Sequence, residues 1–427
     1  MSVTVYDDRG LPAVGVQVLL SDDGGLVAEL VTDDDGQASA PATGPVDVTV
    51  VREGLQTRLT TMRDAEPGDA LRFGVRRGDV PSVAQQVTWT TDVSAVQYYL
   101  YSSCRMQELT LANPVIVDAA ATATQTTTLM FDPACIDDHD ILLVYYGQLG
   151  VIPSYRLISH IAGGGQVMFD EPWTPFGAAT TATFTQLPAG VTPGGAGSSS
   201  LMVQSVFPHA GSVTHGLSAT NYGLTATADG ASAYDLFPLF DQRDATLSIA
   251  HDADARRWQK ISQRLPAAAT LDLAVAPASL PWLTTLPAAD FDAHAIIWKQ
   301  ADADAGQDTA DLLVIHFVWA GASRSWRIIA PPGRAVANGA GDERRFALPA
   351  IPTLTDLLPG PGDTAAQVWL RLYGFGGTTG YRDVRPFADL AISDINEPWD
   401  SYQNYPLYDT WLLEPEVTRV TSSQYLP

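Results

Sequence analysis

VTVYDDRGLPAVGVQVLL (residues 3–20) and LVTDDDGQASAPATGPVDVTVVREG (residues 30–54) decide the fold class. Apolar residues recur at every second position through Val3 and Val5, through Val14, Val16 and Val18, and through Val46, Val48 and Val50. A period of two places successive side chains on opposite faces of a strand. Between the runs stand Asp7-Asp8-Arg9-Gly10, Asp22-Asp23-Gly24-Gly25 and Thr32-Asp33-Asp34-Asp35-Gly36. Aspartate accepts hydrogen bonds from nearby backbone N–H groups, and glycine takes positive φ without a Cβ clash. Each cluster therefore reads as a turn. Strand and turn in alternation over residues 1–75 predict a meandering β-sandwich.

The same grammar continues to the end of the chain. Strands are predicted at Val96–Tyr101, Thr126–Phe131, Ile141–Tyr146, Leu247–Ala250, Leu271–Val275, Ala295–Trp298, Leu312–Trp319, Trp326–Ile329 and Val368–Tyr373. Gly, Pro, Asp and Ser clusters punctuate them, as in sandwiches and barrels. Helical signals are few. Asp252–Arg264 (DADARRWQKISQR) predicts a short helix capped by Asp252, and Thr353–Leu358 a single turn. The fold class expected is all-β, with serial β-sandwich domains at residues 1–78, 79–244 and 245–427. Gly78-Asp-Val-Pro81 marks the first boundary, and Pro188–Ser200 reads as a flexible loop or linker. Asp140–Val144 followed by Ser154–Ile158 resembles Asp311–Ile315 followed by Ser325–Ile329. Duplication and shared β grammar both account for that likeness.

At 427 residues the chain is long enough for two to four domains of about 150 residues. Hydrophobic residues at 46% exclude general disorder. No apolar run reaches the roughly 20 residues of a membrane helix. The formal net charge of −24 leaves no basic face for phosphates, which argues against nucleic acid as a partner. Lys260 and Lys299 are the only lysines. Of the two cysteines, Cys104 and Cys135, a single disulfide is expected, worth roughly 3–4 kcal/mol when closed. The chain opens on MSVTVYDDRG, with neither a charged n-region nor an apolar h-region. Read as it stands, that predicts a cytoplasmic protein. The β-rich composition favours an exported one whose leader is missing.

The pattern over residues 2–75 resembles the carboxypeptidase-regulatory-like family, which has a transthyretin-like fold. It rests on Asp8, Gly10, Pro12, Gly15 and Val16, then on Asp33 and Gly36, then on Val46, Val48, Val50 and Gly54. The resemblance implies a compact β-sandwich without catalytic residues, at the front of bacterial exported or surface proteins. It is similar in fold to starch-binding modules and assigns no substrate.

Candidate sites are sparse. Gly321-Ala-Ser-Arg-Ser325 lacks the final glycine of a nucleophile elbow, and the seven histidines form no HExxH pair. Asp137, Asp138, His139 and Asp140 form a small cluster that could bind a metal after folding, although solvated loop residues are the commoner explanation. Asp302, Asp304, Asp308 and Asp311 supply carboxylates to one acidic loop, and calcium is the cofactor such oxygens would take. Gln307 and Leu313 stand where an EF-hand needs glycine and a bidentate glutamate, so the loop is no EF-hand. Trp399, Tyr402, Tyr405, Tyr408 and Trp411 recur every three residues, the period of a polyproline-II path, and could share one face. That face either docks the tail onto the body or stacks on sugar rings. The function expected is a non-enzymatic, structural or adhesive module of a bacterial cell surface, with a protein or polysaccharide partner. The alternatives are a carbohydrate-binding protein and a hydrolase whose site is assembled from distant residues.

Overall fold

The computed structural model describes residues 1–7, 12–23, 25–53, 57–75, 83–90, 96–104, 115–119, 124–131, 136–145, 154–175, 179–184, 199–205, 219–222, 230–235, 242–250, 256–266, 270–273, 280–281, 283–300, 310–319, 323–338, 342–376, 378, 380–389 and 417–425. They form an all-β protein of several sheets. Every strand predicted above falls on an observed one, for example Leu312–Trp319 and Gln367–Phe375.

The organising element is a 12-stranded sheet. At one end lie Gly25–Val31, Gln17–Asp22, Val46–Arg52 and Thr57–Ala65 from the first unit. Thr57–Ala65 then pairs in parallel with Arg324–Ala330, with Arg324 opposite Thr57 and Ile329 opposite Met62. Beyond that seam the sheet runs through Leu312–Trp319, Gln367–Phe375, Val417–Tyr425, Arg257–Pro266, Gln242–Ala250, Ser199–Ser205 and Ala219–Tyr222. One sheet thus holds strands from residues 17–65 and from residues 199–425.

Both faces of this sheet are covered around the seam. Ser2–Asp7, Gln37–Ser39 and Ala70–Val75 form a three-stranded sheet, and Val3, Val5, Leu71 and Phe73 pack with Val18, Leu20, Val48, Val50 and Met62. On the other face, Ala288–Asp290, Ala295–Lys299, Glu343–Ala347 and Ala335–Ala337 form a four-stranded sheet. Its Ile296, Trp298 and Phe346 pack with Leu19, Leu59, Ile315, Phe317, Trp326 and Leu370. Neighbouring residues thus enter opposite cores: Leu312 and Val314 one, Leu313 and Ile315 the other. A strand buried on both sides has no polar face, which is why LLVIHFVW reads as a nearly continuous apolar run.

The described residues between 83 and 175 form a further sandwich, in which Val87, Trp89 and Phe131 pack against Tyr98, Leu100, Ile141 and Leu143. The two similar segments are both antiparallel hairpins. Leu142 faces Leu157 in one and Val314 faces Ile329 in the other, so their registers differ by two residues.

The turn at Thr32–Gly36 forms as the sequence predicts. Asp33 Oδ1 accepts from the N–H groups of Asp35 and Gln37 at 3.0 and 2.8 Å, and Gly36 takes φ 68°. The turn at 353–358 is present too, as a 3₁₀ segment Pro352–Leu354 followed by Leu358 N–H bonding to Leu354 C=O. The helix expected at Asp252–Arg264 is not there. Arg257–Pro266 is a strand, held between Gln242–Ala250 and Val417–Tyr425. Ladders on both sides hold Trp258 to Gln263, and Gln259 and Ile261 are buried, which outweighs a weak local helical preference. Ser199 and Ser200, at the end of the expected linker, already belong to a strand.

Candidate functional site

A dense charged cluster lies beside the parallel seam, where the strand Thr57–Ala65 carries a bulge: Arg63 and Asp64 stand opposite the single Asp47 of Val46–Arg52. A bulge turns side chains away from their regular positions. Here it brings Asp47, Arg63 and Asp64 together. Arg63 donates from Nε to Asp47 Oδ2 at 3.0 Å and from Nη1 to the Ala347 carbonyl at 3.3 Å. The Asp64 N–H donates to Asp47 Oδ1 at 3.2 Å. Asp64 itself has φ 55°, a left-handed backbone that an aspartate tolerates at a cost of order 1–2 kcal/mol.

Residues from far along the chain complete the cluster. Arg334, which ends the 3₁₀ turn Pro332–Arg334, donates from Nε to Asp64 Oδ2 at 2.7 Å and from Nη2 to Asp64 Oδ1. The short helix Tyr381–Val384 and the turn Arg385–Phe387 supply Tyr381, Arg382 and Arg385. The Tyr381 hydroxyl donates to the Arg63 carbonyl at 2.6 Å. Arg385 donates from Nη1 to the Asp64 carbonyl at 2.7 Å, and its Nη2 lies 2.7 Å from Asp69 Oδ2 and 3.7 Å from Glu66 Oε2. Arg382 Nη2 reaches Glu66 Oε2 at 3.3 Å from the solvent side. Nearby, the fully buried Asp389 accepts from Gly74 N–H at 2.9 Å and from Arg327 Nη1 at 3.2 Å.

Electrostatics sort these carboxyls. Burial raises the pKa of Asp47 above the usual carboxylate value, against the pull of Arg63. Burial also raises Asp389, opposed by Arg327. For Asp64 burial works upwards as well, but the hydrogen bonds and charge of Arg334, with Arg63 and Arg385, lower it overall. Burial pushes the Tyr381 phenol well up, so it stays a neutral donor. Chemically, the cluster binds charge to charge. Asp47, Asp64, Asp69 and Asp389 each face a guanidinium, and Arg385 stacks near the Tyr381 ring at 5.8 Å.

Most residues singled out from the sequence lie elsewhere. Trp399, Tyr402, Tyr405, Tyr408 and Trp411 lie outside the described residues, as do Asp302, Asp304 and Asp308. Asp311 is buried, and its Oδ2 accepts from Phe375 N–H at 2.7 Å and Thr378 Oγ1 at 2.9 Å. Among the described residues no group of three or more His, Cys, Asp or Glu is placed to hold a metal ion. His139 is a core residue, with Nδ1 2.9 Å from the Ile136 carbonyl and Nε2 2.9 Å from Gln85 Oε1. Its neighbour Asp140 is buried too, while Asp138 pairs with His160 at the surface at 3.3 Å. The expected solvated loop at 137–140 is thus corrected for these two residues, because His139–Tyr145 is a strand whose first side chains turn inward. Cys104 is buried, and no described cysteine is a free thiol; Cys135 lies outside the described residues.

Nothing in the amino-acid order pointed to Asp47, Arg63, Asp64, Arg334, Tyr381 or Arg385, because the partners stand up to 321 positions apart. Local surroundings carried no signal either: Arg63 stands in TTMRDAE (residues 60–66) and Arg385 in YRDVRPFAD (residues 381–389), where polar and charged neighbours make an arginine ordinary.

No protein-family model matches the chain, and no curated protein matches it. Among solved structures, the chain aligns with the Bacillus anthracis TIE protein at 8% identity and TM-score 0.16, over 64% of this chain and 49% of that one. It thus spans about half the length of that protein. A Streptococcal ancillary pilin aligns at 10% identity and TM-score 0.19, over 64% and 97% of the two chains. The chicken CNTN1 FN1–FN3 domains align at 8% identity and TM-score 0.14, over 79% and 90%. Superpositions this loose carry no argument about function. No described helix is long and apolar enough to cross a membrane.

Proposed function

We propose that this chain is a non-enzymatic structural module of a bacterial cell surface, built to hold its ends in fixed relation. One observation carries the reading: the parallel seam between Thr57–Ala65 and Arg324–Ala330, which makes one sheet of early and late segments. A parallel pair cannot be closed by a short turn, so strands far apart in the chain are joined side by side in one sheet. The Arg334–Asp64 and Arg385–Asp69 pairs, with the Arg63 bond to the Ala347 carbonyl, fasten that seam from the side. Such a joint resists separation of its parts, which suits a load-bearing or spacing element. A cysteine that is no free thiol fits an oxidising compartment. The transthyretin-like, carboxypeptidase-regulatory-like reading of residues 2–75 belongs to the same proposal.

Single-molecule stretching of the full chain tests it. The expected trace releases the first unit and the segments around residues 310–389 in one event. Separate low-force release of the first unit would overturn the scaffold reading. Turnover of any member of a panel of chromogenic esters, glycosides and peptides would overturn the non-enzymatic part.

A further inference from the structure

Gly25–Val31 is the last strand of the 12-stranded sheet, paired on one side with Gln17–Asp22; among the described residues no strand pairs with its other side. An edge strand presents a row of open N–H and C=O groups, and natural proteins usually blunt such edges with lysine or proline. GLVAELV contains neither. A bulge opposite Leu20 and Ser21 disturbs the strand at Val27, yet Ala28 to Val31 stay in regular register with Leu20 to Gln17. The outer rim is apolar: Val31 is 62% exposed, Val27 41% and Leu26 39%. Val14, at 57%, sits on the adjoining turn, where Gly15 N–H bonds to the Thr32 carbonyl.

The charges carried by this strand and its flanking turns are of one sign, with Arg334 from a distant segment within electrostatic reach of Asp23. Asp22 and Asp23 stand exposed at one end, Glu29 within the strand, and Asp33, Asp34 and Asp35 at the other end. From Gly10 to Val51 the sequence holds no Lys, Arg or His. A second copy of the chain would bring the same acids face to face, each copy carrying a net charge of −24. We infer that the Gly25–Val31 edge accepts an extended segment of a different protein, apolar at alternate positions and carrying lysine or arginine between and beside them. Main-chain hydrogen bonds would give the affinity, while the acidic ends would fix the register and exclude acidic strands.

The probe is the peptide Lys-Val-Thr-Val-Lys-Val-Thr-Val-Lys, added to the full chain and followed by titration and by amide hydrogen exchange. The expected result is saturable binding with slowed exchange of the amides in residues 25–31. A Leu26→Asp, Val31→Asp double variant discriminates the cause. These side chains are exposed, so the fold survives, and far-UV dichroism checks that it does. Strand addition predicts that this variant binds about tenfold more weakly or worse. Simple attraction between opposite charges predicts tighter binding, because the variant is more acidic. The peptide with its two central valines replaced by proline should not protect the edge. No saturable binding, protection elsewhere in the chain, or tighter binding to the double variant would each overturn the inference. Any of these would leave the seam and its stretching behaviour untouched, so failure here is distinguishable from failure of the scaffold reading.

Discussion

Arg334 grips Asp64 at two points, Nε on Oδ2 and Nη2 on Oδ1, although the two residues are 270 positions apart. The grip holds Asp64 at φ 55° and ties the 3₁₀ turn Pro332–Arg334 to the strand Thr57–Ala65. Both side chains are partly open to water, so solvent screens the pair. Arg334→Ala is expected to lower stability by about 1 kcal/mol in urea unfolding. Arg334→Lys should recover little of it, since an ammonium cannot make the two-point contact.

Arg385 is a different case, with a side chain only 3% exposed. Removing it leaves the Asp64 carbonyl without this donor and Asp69 with the Glu66 N–H but without its charge partner. Arg385→Ala should cost about 3–5 kcal/mol by the same urea measurement, several times the Arg334 effect. Equal effects of the two variants would refute the view that burial decides their worth.

The pH response has a computable sign. Burial lowers the pKa of His139 below its ordinary value of 6.5. The unfolded chain therefore takes up the proton first as the solution is acidified. The contribution of neutral His139 is complete above about pH 6.5 and is lost as pH falls from there towards the folded-state pKa. Asp64, whose pKa is lowered from 3.8, loses its contribution in a separate and more acidic window. Thermal denaturation from pH 7 to pH 5 should show the first loss, and His139→Gln should remove it.

Gly36 occupies a position only glycine fits. It has φ 68°, and a Cβ there would lie 2.6 Å from the Val5 carbonyl oxygen. Gly36→Ala is expected to destabilise the chain by about 2–3 kcal/mol, read as a lower unfolding midpoint. An unchanged midpoint would mean that the turn relaxes freely.

The Cys104–Cys135 bridge that we propose has a direct assay. Chain unfolded without reductant should give no thiol reaction, and reduction should expose both thiols. Closing a loop of this length is worth about 3 kcal/mol, so reduction should lower the melting temperature clearly.

Several levels of the structure were legible in the amino-acid order, and each was local. Alternation at Val46, Val48 and Val50 and the aspartate–glycine turn at Thr32–Gly36 set strands and corners through neighbours a few residues away. The predicted helix at Asp252–Arg264 failed because its competitor was not local: two strands, one of them Val417–Tyr425, supply the ladders that hold Arg257–Pro266 extended.

By itself the sequence determined an all-β chain, its strands and tight turns, and an acidic surface, since periodicity, backbone sterics and charge are properties of short segments. Only the tertiary structure decided that Thr57–Ala65 lies beside Arg324–Ala330, and hence that Asp64 and Asp69 meet Arg334 and Arg385. Parallel pairing carries no turn signal, and a buried ion pair depends on which surfaces exclude water together. That exclusion exists only once the sheet has closed over both of its faces.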